Sequence, residues 1–181
     1  MRRWPRPVRA ASRRRFTPHR ARVIEIAKAD YRDPVHAQAV VTLLDAYARD
    51  PAGGGTPLAA QVLAGLPAAL AARPQAFSVL AFDQGQPVGL VNCIEGFSTF
   101  ACRPLVNVHD VVVLASHRGQ RVAQRMLALV EAEARVRGAC KLTLEVLSGN
   151  RSALRAYERE GFASYQLDPA FGSAMFLQKK I

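Results

Sequence analysis

The stretch "HDVVVLASHRGQRVAQRM", residues 109–126, decides how the rest of the chain is read. Its first half is dense in valine and reads as a buried strand. Within a few residues it turns into the start of a helix. The first backbone N–H groups of a helix lack intrahelical partners, and the helix dipole is positive at that end. A strand–loop–helix junction of this kind is therefore an anion site. Gly119 and Ala123 are small enough to let a pyrophosphate approach the backbone, and Arg118 adds charge. On its own the segment is equally describable as a basic helix start.

Downstream, Val122, Met126, Leu129 and Val130 recur at helical spacing and predict a helix over 120–137, with Gly138 placed to end it. "CKLTLEVL" follows as a strand. Asn150 to Glu160 then reads as a second helix, with Asn150 as N-cap and Gly161 at its C-terminal end. "FASYQL" and "SAMFLQKK" are expected to be two closing strands. Upstream, "RVIEIAKA" reads as a first strand, and helices are expected over 34–49 and over 58–72, the second disturbed at Pro67. The run "RDPAGGGTP" between them is a loop and not a Walker phosphate loop, because no Gly-Lys-Ser/Thr follows. "AFSVLAF" and "PVGLVNCIEGF" flank "DQGQ", which has hairpin turn chemistry. Residues 96–107 are expected to form a long loop into the valine strand, with Phe97 and Phe100 either lining a site or packing in the core. The order is β-α-α-β-β-β-α-β-α-β-β, with no internal repeat.

Composition narrows the function classes. The chain has 181 residues, half of them apolar, and a formal charge of +11. Nine of its 25 basic residues are arginines within residues 1–22, a segment without an acid; the remainder carries 16 basic and 14 acidic side chains. The basicity thus belongs to the N-terminal segment, which has three prolines and no periodicity and is expected to be a disordered extension of a single domain at 23–181. Nucleic-acid binding is expected only if that segment carries it, and a later natural start would remove it. No apolar run approaches the ~20 residues of a membrane span. Cys93, Cys102 and Cys140 are odd in number and lack CxxC spacing, so neither a disulfide framework nor a metal site is expected, and the compartment is expected to be reducing and cytoplasmic.

Two segments together carry more than either alone. "GNRSALRAYEREGF" lies one strand beyond the phosphate-type loop, and with it resembles the GNAT superfamily of acetyl-CoA-dependent N-acetyltransferases. Arg118-Gly119-Gln120-Arg121-Val122-Ala123 fills the family's Q/R-x-x-G-x-G/A signature except at its first glycine, where Arg121 stands. Asn150, Ala153, Tyr157, Gly161 and Phe162 match the second signature. The resemblance spans about residues 23–180.

It implies an α/β (α+β) fold: a mixed, mostly antiparallel sheet of about six or seven strands flanked by about four helices. It also implies acetyl transfer to a primary amine, with acetyl-CoA as cosubstrate and no metal. The backbone of Val111, Val112 and Val113 would pair with the pantetheine arm, and a valine N–H would polarise the thioester carbonyl. Arg118, Gly119, Gln120, Arg121, Val122, Ala123 and Gln124 would hold the pyrophosphate, and Asn150 would contact the cofactor. Tyr157 would protonate the departing thiolate. The proton of the acceptor amine would leave through the His109–Asp110 position, with His109 suited to the base role and Asp110 orienting it or lining the amine pocket; Glu95 is a second candidate base and Glu145 a weaker one. Arg121 is compatible with this because a helical φ is expected there, which suits any residue. A small-molecule amine is the expected acceptor, a protein or peptide amine the rival, and a non-catalytic CoA-binding sensor the alternative from another class; members of the family are often homodimers.

Overall fold

The computed structural model describes residues 23–165, 168, 170, 172 and 174–181. Nine regular elements follow one another: β1 (Ile24–Lys28), α1 (Pro34–Arg49), α2 (Ala60–Ala71), β2 (Ala76–Asp83), β3 (Gln86–Ser98), β4 (Arg103–Val113), α3 (Val122–Val136), β5 (Leu142–Leu144) and α4 (Arg151–Arg159). The strands form one sheet in the order β1-β2-β3-β4-β5. The first three junctions are antiparallel and β4–β5 is parallel.

Local chemistry accounts for the element ends. The Asp33 carboxylate accepts the Val35 N–H and Pro34 opens α1, a capped start with a ring that needs no donor. Between β2 and β3 the chain reverses through Gln84 and Gly85, both at positive φ (52° and 77°), the geometry that a two-residue hairpin favours. Pro67 lies inside α2, which nevertheless continues to Ala71.

Burial is two-sided. Alternate residues of the central strands face opposite layers. Val79, Val91, Val106 and Val108 meet Val122, Met126, Val130 and Ala134 of α3. Leu80, Leu90 and Val112 meet Ala39, Val40 and Leu43 of α1. Gly89 lets α3 come close: a Cβ there would stand 2.9 Å from Met126 Cε.

Three expectations need correction. Residues 162–165 and 174–180 are in no strand, while 166, 167 and 173, which complete the two expected segments, lie outside the described residues. The sheet therefore has five strands among the described residues, fewer than expected. β5 pairs over only three residues, a short partner for any further strand, and Met175, Phe176 and Leu177 are 75–80% exposed. Residues 96–107 are not a long loop: β3 and β4 pair out to Ser98↔Arg103, and Phe97 and Phe100 are exposed.

Candidate functional site

The site begins with a mismatch in strand pairing. Asn92 faces Asp110 but Cys93 faces Val108, so His109 is the unmatched residue of a β-bulge. On its other edge β4 pairs with β5 only through Val106, Asn107 and Val108. From His109 to Val113, β4 therefore has a strand partner on one side alone among the described residues. The Leu114 N–H bonds the Val88 carbonyl at 3.0 Å. By the two-residue alternation of antiparallel bonding, Val112 turns its polar groups to β3, and Val111 and Val113 turn theirs to the open edge.

A short 3-10 turn, Ala115–His117, links this edge to α3. His117 is buried, with Nε2 2.9 Å from Asp83 Oδ2 and Nδ1 2.8 Å from Ser116 Oγ, which ties the loop to the β2–β3 hairpin. Gly119 has φ +77°, and a Cβ there would meet no atom within 4 Å. Its backbone conformation, and not lack of space, is what favours glycine there. The first helical bond of α3 runs from the Arg125 N–H to the Arg121 carbonyl at 3.1 Å, so the N–H groups of Val122, Ala123 and Gln124 precede the ladder.

The two arginines of the loop are held differently. Arg118 is drawn back, its Nε donating to the Val113 carbonyl (3.1 Å) and its Nη2 to Asp50 Oδ2 (3.2 Å). It staples the loop to β4 and to the α1–α2 connection. The Ala52 N–H first, and Arg118 second, hold the Asp50 carboxyl below its usual range. Arg121 is not helical: φ +59° and ψ +22° place it in the left-handed region, as the N-cap residue of α3. The position resembles a glycine site because its backbone is one.

A cavity of about 360 Å³ opens beside the bulge, between the sheet and α1–α2. His109 and Asp110 both line it. Asp110 ends a polar chain through the apolar sheet. Tyr31 and Ser78 are 2.7 Å apart, the Ser78 hydroxyl donates to Asn92 Oδ1 (2.6 Å), and Asn92 Nδ2 donates to Asp110 Oδ2 (3.0 Å). Since Ser78 uses its only proton on Asn92, Tyr31 is the donor to Ser78. Every donor thus points toward the Asp110 carboxylate and fixes its orientation. Burial raises the Tyr31 phenol. Tyr47, also on the cavity wall, is raised by burial and then by the negative charges of Asp110 and Asp50.

Glu95 lies outside this group. It accepts from Arg137 Nη1 at 2.8 Å, and the same guanidinium stacks over Phe77 at 4.6 Å. Glu95 does not line the cavity, because two residues past the bulge its side chain serves the end of α3 instead. Glu145 accepts from Asn107 on the neighbouring strand. Asn150 caps α4, its Oδ1 accepting from the Ala153 N–H (3.2 Å) and the Ser152 hydroxyl (3.0 Å), so its amide N–H groups remain available. Tyr157 packs edge-on to Phe162 and against the α3-side core. Burial first, and Tyr47 beside it second, push its phenol up to about 12. Cys93, the thiol on the cavity wall, is likewise pushed up to about 12, mainly by burial, and is no thiolate at neutral pH.

The open strand edge of β4 runs through the 3-10 turn into a helix start with unpaired donors. The model of the GNAT acetyltransferase family matches residues 24–162. The chain belongs to the GNAT acetyltransferase family. Two curated acetyltransferases are similar over part of it. The aminoalkylphosphonate N-acetyltransferase of Salmonella typhimurium is 34% identical over 83 residues, 46% of this chain and 54% of that protein. The streptothricin acetyltransferase of Streptomyces lavendulae is 35% identical over 86 residues, 46% of each chain. This chain thus spans about half the length of the curated relatives it matches. Among solved structures, the ribosomal-protein-alanine N-acetyltransferase of Brucella melitensis superposes with a TM-score of 0.68 at 20% identity, covering 87% of this chain and all of that one. An aminoglycoside N-acetyltransferase in complex with CoA gives 0.69 at 15% identity, covering 92% and 100%. At these identities the likeness is one of fold.

Sequence reasoning missed the Tyr31–Ser78–Asn92 chain and the Asp83–His117 pair. A signal for the first existed: Ser78 and Asn92 are polar residues inside otherwise apolar strands, and a buried polar group needs a partner. The second had none, since Asp83 and His117 lie 34 positions apart.

Proposed function

We propose that this GNAT chain transfers the acetyl group of acetyl-CoA directly to the primary amine of a small molecule. The observation that carries the reading is the open edge of β4 at the His109 bulge, which joins the α3 helix start to the cavity holding Asp110. The residues suit acetyl-CoA. The Val111 backbone offers a strand-like partner to an amide-bearing arm, and the N–H groups of Val122, Ala123 and Gln124, behind Gly119 and Arg121, suit a pyrophosphate. Gln120 lies in the same loop, its amide donating to the Ser116 carbonyl, and Asn150, whose side-chain oxygen caps α4, would contact the cofactor through its amide N–H.

When bound, acetyl-CoA supplies an activated acetyl thioester. The chain's residues do the rest. The Val111 N–H donates to the thioester carbonyl, where a preorganised donor is typically worth about 3 kcal/mol. Asp110, held by Asn92, receives the cationic amine and with His109 takes up its proton. Tyr157 keeps its proton at neutral pH and delivers it to the leaving sulfur. The cavity's thiol is protonated and buried, which supports direct transfer over a covalent enzyme intermediate.

The test is release of free CoA thiol on mixing the chain with acetyl-CoA and a panel of primary amines. Thiol is expected only when both substrates are present, with no acetylated enzyme by mass spectrometry when the amine is omitted. Acetyl-CoA binding with no release from any amine would favour the non-catalytic sensor.

A further inference from the structure

The cavity's wall specifies more than an amine. Among the described residues it carries one carboxylate, Asp110, and no lysine or arginine. Its other polar groups are neutral hydroxyls and an amide, most of them already engaged with one another, together with His109. The remainder of the wall is apolar: Leu44, Leu58, Leu66 and Leu70 come from the α1–α2 side, and Phe77 and Ile94 from the sheet. Glu95, the next acid along β3, is neutralised by Arg137 and lies off the wall.

An ionic group inside a largely apolar cavity needs a partner of opposite charge, and each unpartnered charge opposes binding. One carboxylate can satisfy one ammonium. A second or third ammonium on the same ligand would enter an apolar wall unpaired. A phosphonate would meet no lysine or arginine among the described residues of the wall, and would have the Asp110 carboxylate directly beside it. The apolar side chains, by contrast, gain from burying a hydrocarbon body. A cavity of about 360 Å³ lies at the small end of the range for small-molecule sites, about 300–1,000 Å³.

Resting on the acetyltransferase reading above, we propose that the acceptor is a monoamine with an apolar, aliphatic or aromatic body, held by Asp110 at its amine and by the α1–α2 leucines, Phe77 and Ile94 along its length. Polyamines, aminoglycosides and aminophosphonates are poor acceptors for this cavity. The aminophosphonate and streptothricin named for the curated relatives are therefore not the acceptors this wall selects.

The test compares phenethylamine and hexylamine with spermidine, kanamycin and 2-aminoethylphosphonate, using the full chain, acetyl-CoA and free thiol as readout. The two monoamines are expected to show kcat/KM at least tenfold above the other three. Ile94→Glu adds a second carboxylate at a wall position that is 37% exposed and so tolerates a charge. In that variant the ratio of spermidine to phenethylamine turnover is expected to rise about tenfold, with the melting temperature reporting that it folds. Turnover highest on a polycation or the phosphonate overturns this inference and leaves acetyl transfer standing, as does an unchanged ratio in folded Ile94→Glu. If no amine is acetylated although acetyl-CoA binds, the proposed function falls, and the cavity's preference is then read from binding. Thermal stabilisation by phenethylamine that Asp110→Asn removes supports the inference, and no stabilisation overturns it.

Discussion

Replacing Arg121 by glycine separates what its backbone does from what its charge does. Arg121 stands at φ +59°, ψ +22°, and its exposed side chain makes no hydrogen bond or ion pair with any described residue. A left-handed conformation costs a residue with a Cβ about 1–2 kcal/mol. Glycine escapes that cost but loses more freedom on folding, about 0.5–1 kcal/mol. Arg121→Gly is therefore expected to stabilise the protein by about 0.5–1 kcal/mol, a rise of roughly 1–4 °C in melting temperature for a chain of this size. Arg121→Ala keeps the strain while removing the charge, and its stability should stay within about 0.5 kcal/mol of the parent. Calorimetry and urea unfolding of the three proteins, run at one salt concentration, measure the difference between the glycine and alanine variants. A glycine variant no more stable than the alanine variant would refute the strain argument. It would mean that the loop relaxes around Arg121, or that its guanidinium has a stabilising partner.

Other outcomes follow from the same geometry. Tyr157→Phe should lower kcat by about 10²–10⁴ with little change in melting temperature; full activity would remove the phenol from proton delivery. Because the Tyr157 pKa is raised from about 10 to about 12, the folded state holds this proton more tightly than the unfolded chain. Its contribution to stability is complete below about pH 10 and is lost as pH rises through about 12, so an alkaline loss of activity below pH 9 that vanishes in Tyr157→Phe would contradict this. Asn92→Ala leaves the buried Ser78 hydroxyl without its acceptor, and is expected to cost about 1–3 kcal/mol and to raise KM for the amine more than for acetyl-CoA; chemical denaturation and steady-state kinetics check both. A Cβ at Gly53 would stand 2.0 Å from the Tyr47 carbonyl oxygen, so Gly53→Ala must displace the turn that closes one side of the cavity. A loss of about 1–3 kcal/mol is expected, and unchanged stability with unchanged amine KM would refute it.

Much of the architecture was legible because its signals are local. The span of α1 shows as a 3.6-residue apolar pattern bracketed by Asp33-Pro34 and Asp50-Pro51, and the chain takes Pro34–Arg49. The hairpin at Asp83–Gln86 shows in its Gln-Gly turn. Asn150 declares itself as a cap three residues before the N–H it accepts. The two GNAT signatures are short contiguous strings of the same kind, and they place the loop at 118–124 and the helix of Tyr157 without any long-range information.

What stayed hidden depends on registers and backbone angles that contiguous residues do not encode. Nothing in "HDVVVL" says that His109 is the extra residue of a bulge, because that is a relation between β3 and β4. The left-handed φ of Arg121 is hidden because an arginine is a poor local predictor of a conformation imposed by the junction on either side of it. Glu95 and Asp110 are both strand acids, and only the sheet sends one to Arg137 and the other to the cavity. The two closing strands failed on the same ground, since a strand needs a partner and β5 offers only Leu142–Leu144. The sequence by itself determined the helices, the β2–β3 hairpin and which family's motifs the chain carries, since capping, turn chemistry and periodicity act over a few residues. The tertiary structure alone decided which strand acid lines the cavity and which pairs with Arg137, since both depend on side chains distant in sequence converging on one volume.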